Sequence, residues 1–469
     1  MSAKAVGEVQ LAGGAGASTV LYSSIDSAVL RLDGDPADLG WVGDEQAFRR
    51  GYARVLPKFE AARLASPQRL QLARWIVEAL NEQIVWQTDT GEVSIRDHLA
   101  VGAVDVQLTE HSSGGSPGWT PGMIYRGERW LGPGCADLGA ELAERGVITS
   151  QASASLRDLA AGGDIDLSGR RVAVLGGGAE MAATRHFLEA GAHVLWVDLQ
   201  TPPEDWRTAE GLSGSLTWCE DGLDLLTAPG QVLSALRRFS EGGPVDLCLY
   251  AYAPGRAREL RLTALMNALV DALPTDLVAS VTTLVSPTTP TELDASDLQD
   301  MATRRSNRAV WERGLSGLAL LGRGDGAERI ASGAATRTVV PIQGASYQAA
   351  QYVCKVLAAE LWASAGGFQV SANTAAITQT RSLDHPVFAA AFGGAAAFGV
   401  ETLAPRQSRR LNGMLAVHDW LSQGRPVPGR VRVHGGIHTL PYPLEEALRV
   451  AAAIGFARSP RLLKGLMRR

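Results

Sequence analysis

Gly176, Gly177 and Gly178 stand in a row at the end of an apolar run, and Asp198 follows about 20 residues later. Those residue types at that spacing suit one piece of chemistry, the holding of a dinucleotide. Glycines let the backbone close on a pyrophosphate, and N–H groups at a following helix start favour its charge. An acid after the next strand accepts both hydroxyls of an adenosine ribose. Glu180 and Met181, inside the turn, are expected among the cofactor contacts. An aspartate at 198 repels a 2′-phosphate, so the expected cofactor is NAD(H) rather than NADP(H). A G-x-G-x-x-G run would place its third glycine at 181, where the chain has Met181. The same stretch also suits a plain strand–turn–helix unit that holds no nucleotide.

The other reactive residue types are scattered. Cys135, Cys219, Cys248 and Cys354 form no C-x-x-C pair, which argues against a metal cluster or a disulfide framework and for a reducing compartment. His434 and His438 are four apart, but Gly435 and Gly436 between them oppose a shared helix, so no metal site is expected. Asp384-His385 lacks any G-x-S-x-G nucleophile elbow to serve.

Around the glycines the apolar pattern alternates between short runs and helical periods. Val172–Leu175 and Val194–Val197 read as strands around a helix carrying Met181, Thr184, Phe187 and Leu188. Further strands are predicted at Leu216–Cys219, Val245–Ala251, Val278–Ser286, Arg337–Ile342, Phe368–Ala375 and Val431–His434. Helices are predicted between them, including one from Ser346 to Ala365 and an insertion at 295–321. Such alternation predicts an α/β fold, a doubly wound parallel sheet with its ligands beyond the carboxyl ends of the strands. Ser286, Tyr347 and the run from Asn373 to Thr380 fall at those ends.

Before this region, residues 1–20 read as a disordered leader and 21–165 as a mainly helical extension. Helices are expected at 44–62, 67–82, 136–145 and 152–161, with a hairpin at Ile84–Ile95. Trp119, Tyr125 and Trp130 could line a ligand site or pack an interface. The segment Asp384–Pro405 is apolar and small-residued, as a cover for an acyl ligand or an alanine-rich helix pair would be. The last part, 446–469, reads as a basic amphipathic helix, either solvated or set against an anionic surface.

With 469 residues, the chain has room for more than one domain, and its net charge of −5 is too small to suggest a nucleic-acid partner. No run approaches the roughly 20 apolar residues of a membrane span, so a cytoplasmic protein is expected.

The order of these motifs resembles the short-chain dehydrogenases/reductases over about residues 167–443. The resemblance rests on GGGAEMA, Asp198, YAYAPG at 250–255, Asn267, Ser286, SYQAAQYVCKVLAAEL, VSANTAAITQT and VHGGIHT. It implies a Rossmann-like domain spanning 166–445 and an NAD(P)(H)-dependent oxidoreductase acting on a carbonyl, alcohol or enoyl group of a hydrophobic substrate, in a homo-oligomer. Tyr347 would exchange the proton, Ser286 would orient the substrate oxygen, and a lysine would lower the tyrosine pKa. Ala251, Tyr252, Ala253, Ile377 and Thr378 would touch the cofactor. The usual lysine position, four residues after the tyrosine, holds Gln351. Lys355 lies two turns along, roughly 12 Å away, and Tyr352 with Lys355 forms a second possible pair. The other reading of the same order is a binding or scaffold protein that keeps the shape without redox turnover.

Overall fold

The computed structural model describes residues 7–462, apart from 33–34, 208–211, 254, 256, 319, 323–324, 331–332 and 423–430. Seven strands form the central sheet: β1 (Thr109–Ser112), β2 (Arg171–Leu175), β3 (His193–Val197), β4 (Ser215–Trp218), β5 (Val245–Leu249), β6 (Val278–Val285) and β7 (Gln369–Thr374). Their order across the sheet is β7-β6-β5-β2-β3-β4-β1, all parallel except β1, which pairs antiparallel with β4 at the edge.

The strands read as continuous apolar runs because both faces of the sheet are buried. Ala173, Leu175, Leu195, Val197, Leu247 and Leu249 join one core with the helices Pro229–Ser240 and Arg258–Asp271 and the segment Ala349–Leu357. Their sequence neighbours Val172, Val174, Val194, Trp196 and Cys248 point the other way. They pack with the helices Gly134–Glu144, Ser150–Ala161 and Pro405–Leu421.

The N-terminal region is woven into this body. Residues 7–20 of the expected leader are ordered: Glu8–Leu11 pairs with Ile84–Thr88, and a helix starts at Ala17, while residues 1–6 lie outside the described part. The helices Ala17–Val29, Glu45–Ala65 and Arg69–Asn81 share the first core, and β1 extends the sheet itself. Charge ties them down. Arg63, its side chain only 1 % exposed, bridges Glu60 (2.7 Å) and Glu360 (2.8 Å), while Arg69 reaches Glu360 (2.7 Å) and Glu292 (3.1 Å). The Tyr352 hydroxyl donates to Glu60. One guanidinium donates to two buried carboxylates, which is what makes such burial tolerable.

Several predicted elements differ. The predicted strand Arg337–Ile342 is absent. A hairpin of Ala327–Ile330 with Gly333–Thr336 precedes it, and Arg337 bonds through its backbone to Gly326 and Leu444. Val431–His434 makes one bridge, Arg432 to Asn373, rather than a strand. The helix after the glycines spans only Thr184–Glu189. The long helix predicted from Ser346 is α-helical at Ala345–Gln348 and Ala358–Ala365 but π-helical at Ala349–Leu357.

The segment 384–405 takes the alanine-rich alternative. Its helix Pro386–Ala395 lies against the C-terminal helix Leu444–Arg458 at small residues. A Cβ on Gly394 would meet the Ala451 carbonyl oxygen at 1.9 Å, and one on Gly455 the Ala390 oxygen at 1.8 Å. Trp119 and Tyr125 are buried in the second core, with Trp119 stacked on His186, so the aromatic group packs an interior. Beyond Arg458 the basic tail falls largely at 463–469, outside the described residues. No helix among the described residues is long and apolar enough to cross a membrane.

Candidate functional site

The glycine turn sits where β2 ends, and its close packing accounts for each glycine. Gly176 has φ of +90°, and a Cβ there would lie 2.4 Å from the Ala251 Cα on the loop after β5. A Cβ on Gly177 would lie 2.5 Å from the indole of Trp196, which is nearly buried beneath the turn. Trp196 is held in turn by its Nε1–H on the Gln200 carbonyl (2.7 Å) and by the edge-on ring of Trp206.

The N–H groups of the glycines are also engaged. Gly176 and Gly177 donate to the Val197 carbonyl (2.8 and 3.3 Å), and Gly178 donates to Asp198 Oδ2 (2.9 Å). Asp198 Oδ1 accepts from Leu199 N–H (2.7 Å), and the Thr184 hydroxyl closes on the Gly177 carbonyl (2.8 Å). Glu180 is exposed and Met181 half-buried. The glycine N–H groups and Asp198 thus bond within the turn, and an indole fills the space beneath it.

A second group forms at the carboxyl ends of β5 and β6. Tyr347 and Ser286, far apart in sequence, meet there. Burial pushes the Tyr347 phenol above its usual range, the Ser286 hydroxyl facing it acts the other way, and Glu259 and Tyr252 push it further up. The Ser286 hydroxyl continues to Thr288 Oγ1 (2.9 Å), which donates to Gln343. Behind them lies a buried network. Gln351 Oε1 accepts the Ser286 backbone N–H (2.9 Å), its Nε2 donates to Glu259 Oε1 (3.0 Å), and Glu259 Oε2 accepts the Ala253 N–H (2.9 Å).

Lys355 ends elsewhere. Its ammonium donates to the Leu284 carbonyl (3.0 Å) and is buried. Burial lowers its pKa, with Glu259 opposing; burial raises that of Glu259, with Lys355 opposing. Glu259 and Tyr252 act on the Tyr347 hydroxyl, whereas the Lys355 ammonium is directed to Leu284. Tyr352 is spent on Glu60, so a Tyr352–Lys355 pair does not form either.

The remaining expected cofactor contacts divide. Ala251 is buried under Gly176, Tyr252 is 58 % exposed, and Ala253 gives its N–H to Glu259. Ile377 lies in an apolar cluster with Phe398, Val400 and Ile437, and the Thr378 hydroxyl donates to Ala376 (2.8 Å) beside Ser408 (2.6 Å). Asn267 donates to the Cys354 carbonyl (2.7 Å), anchoring the π-helical segment. His434 and His438 are buried, with pKa values lowered by burial to about 3 and about 4, and no group of three or more metal-binding side chains occurs among the described residues.

Sequence reasoning missed Glu259 and Trp196. Glu259 opens a helix in the polar run Arg256–Arg261, where an exposed acid is the ordinary expectation. Trp196 carried a usable signal, a bulky ring two residues before the acid and opposite glycines. No protein-family model matches the chain, and no curated protein is significantly similar to it.

Proposed function

We propose that this chain is a Rossmann-type binding protein that takes a small molecule bearing a carbonyl or hydroxyl oxygen at Tyr347 and Ser286, without nicotinamide redox turnover. The order of its six parallel strands, numbered among themselves, is 6-5-4-1-2-3, the arrangement of doubly wound dinucleotide-binding sheets. In such sheets ligands lie beyond the carboxyl ends, where Tyr347 and Ser286 meet.

The observation that carries the non-redox reading is Gln351. A tyrosine that moves protons near neutral pH needs a cation to lower its pKa. Here the position one turn along holds a neutral amide clasped between the Ser286 N–H and a buried acid. The phenol is shifted up, not down. Tyr347 and Ser286 then act as a hydrogen-bonding pair for a ligand oxygen. Four free thiols suit a reducing, cytoplasmic setting.

The second reading, an NAD(H)-dependent oxidoreductase on a hydrophobic carbonyl, alcohol or enoyl compound, is favoured by the apposition of Tyr347 and Ser286, as the resemblance expects. Titration of the purified protein with NADH and NADPH, followed by energy transfer from tryptophan, separates the two. No saturable binding is expected. Saturable NADH binding weakened by Asp198→Ala would overturn the non-redox reading.

A further inference from the structure

A groove of about 420 Å³ opens beside the loop that follows β5, lined by Gln10, Gly255, Ala257, Arg258 and Arg261. We infer that this groove binds an oxyanion, the phosphate or carboxylate group of a small molecule. The charged groups among its described lining residues are both arginines.

The two arginines stand differently. Arg261 is fixed: its Nη1 donates to Glu8 Oε1 (3.0 Å) and to the Val9 carbonyl (2.9 Å), and the Gln10 amide holds Glu8 in place (2.8 Å). Its Nε is buried and has no partner. Arg258 is exposed and has no carboxylate partner among the described residues. One guanidinium is therefore balanced by Glu8 and the other is unbalanced, which leaves the groove with a net positive charge. A guanidinium meets phosphate or carboxylate through paired N–H donors, so an anion placed here gains charge-assisted hydrogen bonds without first breaking an ion pair of Arg258.

The groove and the Tyr347 group share none of the described residues. Tyr252, on the same loop as Gly255, acts on the Tyr347 phenol. The inference stands independently of what binds at Tyr347. The simplest contrary account is a solvated surface arginine with no ligand.

The test is isothermal titration of the full chain with inorganic phosphate, pyrophosphate and citrate at constant ionic strength, repeated on Arg258→Gln, Arg258→Lys and Tyr347→Phe. Saturable binding is expected, weakened roughly tenfold or more by Arg258→Gln, as loss of a charge-assisted contact implies. Arg258→Lys should retain part of it, and Tyr347→Phe should leave it unchanged. Preference for the phosphates over citrate, or the reverse, identifies which oxyanion is meant. Absence of saturable binding to all three anions, or equal affinity in Arg258→Gln, overturns the inference. Loss in Tyr347→Phe would instead assign the anion to the neighbouring site, and overturns it too.

Discussion

Replacing Gly177 by alanine tests whether the glycine turn is shaped by Trp196. The new Cβ would lie 2.5 and 2.6 Å from two indole carbons, roughly 1 Å inside the optimal separation of carbon pairs. Neither side can give freely. The turn is pinned by the N–H groups of Gly176 and Gly177 on Val197, and the indole by Gln200 and Trp206. Overpacking of this kind costs about 1–3 kcal/mol. Trp196→Ala alone should cost about 3–5 kcal/mol as a large-to-small core change. In the double variant the alanine at 177 meets no ring, so its cost should nearly vanish, giving a coupling of about 1–3 kcal/mol. Urea unfolding of the four proteins at neutral pH measures the cycle. Additivity within about 0.5 kcal/mol would refute the claim that these glycines make room for the indole.

Other perturbations bear on the remaining features. Arg63→Met should destabilise the fold by about 3–5 kcal/mol by stranding Glu60, with much of the loss recovered in Glu60→Gln/Arg63→Met; an unchanged unfolding midpoint would contradict the buried bridge. His434 and His438 have folded pKa values of about 3 and about 4, below the ordinary 6.5. The unfolded chain therefore binds protons first, and the contribution of each ring is complete above pH 6.5 and lost as pH falls through its folded pKa. Each should add about 1.4 kcal/mol per pH unit to the slope of stability between the two values. His438→Gln should remove one such share, and an unaltered slope would count against it. Gly455→Ala should weaken the fit of the C-terminal helix on the Ala390 carbonyl and cost about 1–3 kcal/mol by thermal unfolding, whereas no loss would show that the helices separate at little cost.

The parallel strands β2 to β7 were legible because burial on both faces writes them as apolar runs between glycine and polar turns. The apposition of Tyr347 and Ser286 was legible for a related reason, since strand ends in such a sheet fall along one edge. What the sequence concealed depends on distant partners. β1 reads Thr-Glu-His-Ser, a polar stretch with nothing to mark it as a sheet edge until β4 is beside it. The strands of the hairpin, Ala327–Ile330 and Gly333–Thr336, are charged in one half and small-residued in the other, each with a single β-branched residue at its end. A close backbone approach demands glycine whether the neighbour is a phosphate or an indole, so the glycine run by itself does not reveal the Trp196 ring beneath it. The role of Glu259 could be read only from its burial beneath Gln351.

The bridges that tie the N-terminal helices to the middle of the chain also set a timetable. Glu60 meets Tyr352 across 292 residues, and Arg69 meets Glu360 across 291. At roughly 5–20 residues per second of synthesis, Arg63 and its carboxylate wait some 15–60 seconds for the remaining partners to be made. During that interval the helices Ala17–Val29 and Arg69–Asn81 lack the segment Ala349–Leu357 that they pack against. Such a chain folds late and as a whole, with many contacts of long sequence separation. A fragment cut at residues 166–445 would lack β1, Val9 and Arg63, and should be recovered as an aggregate rather than as a free-standing domain.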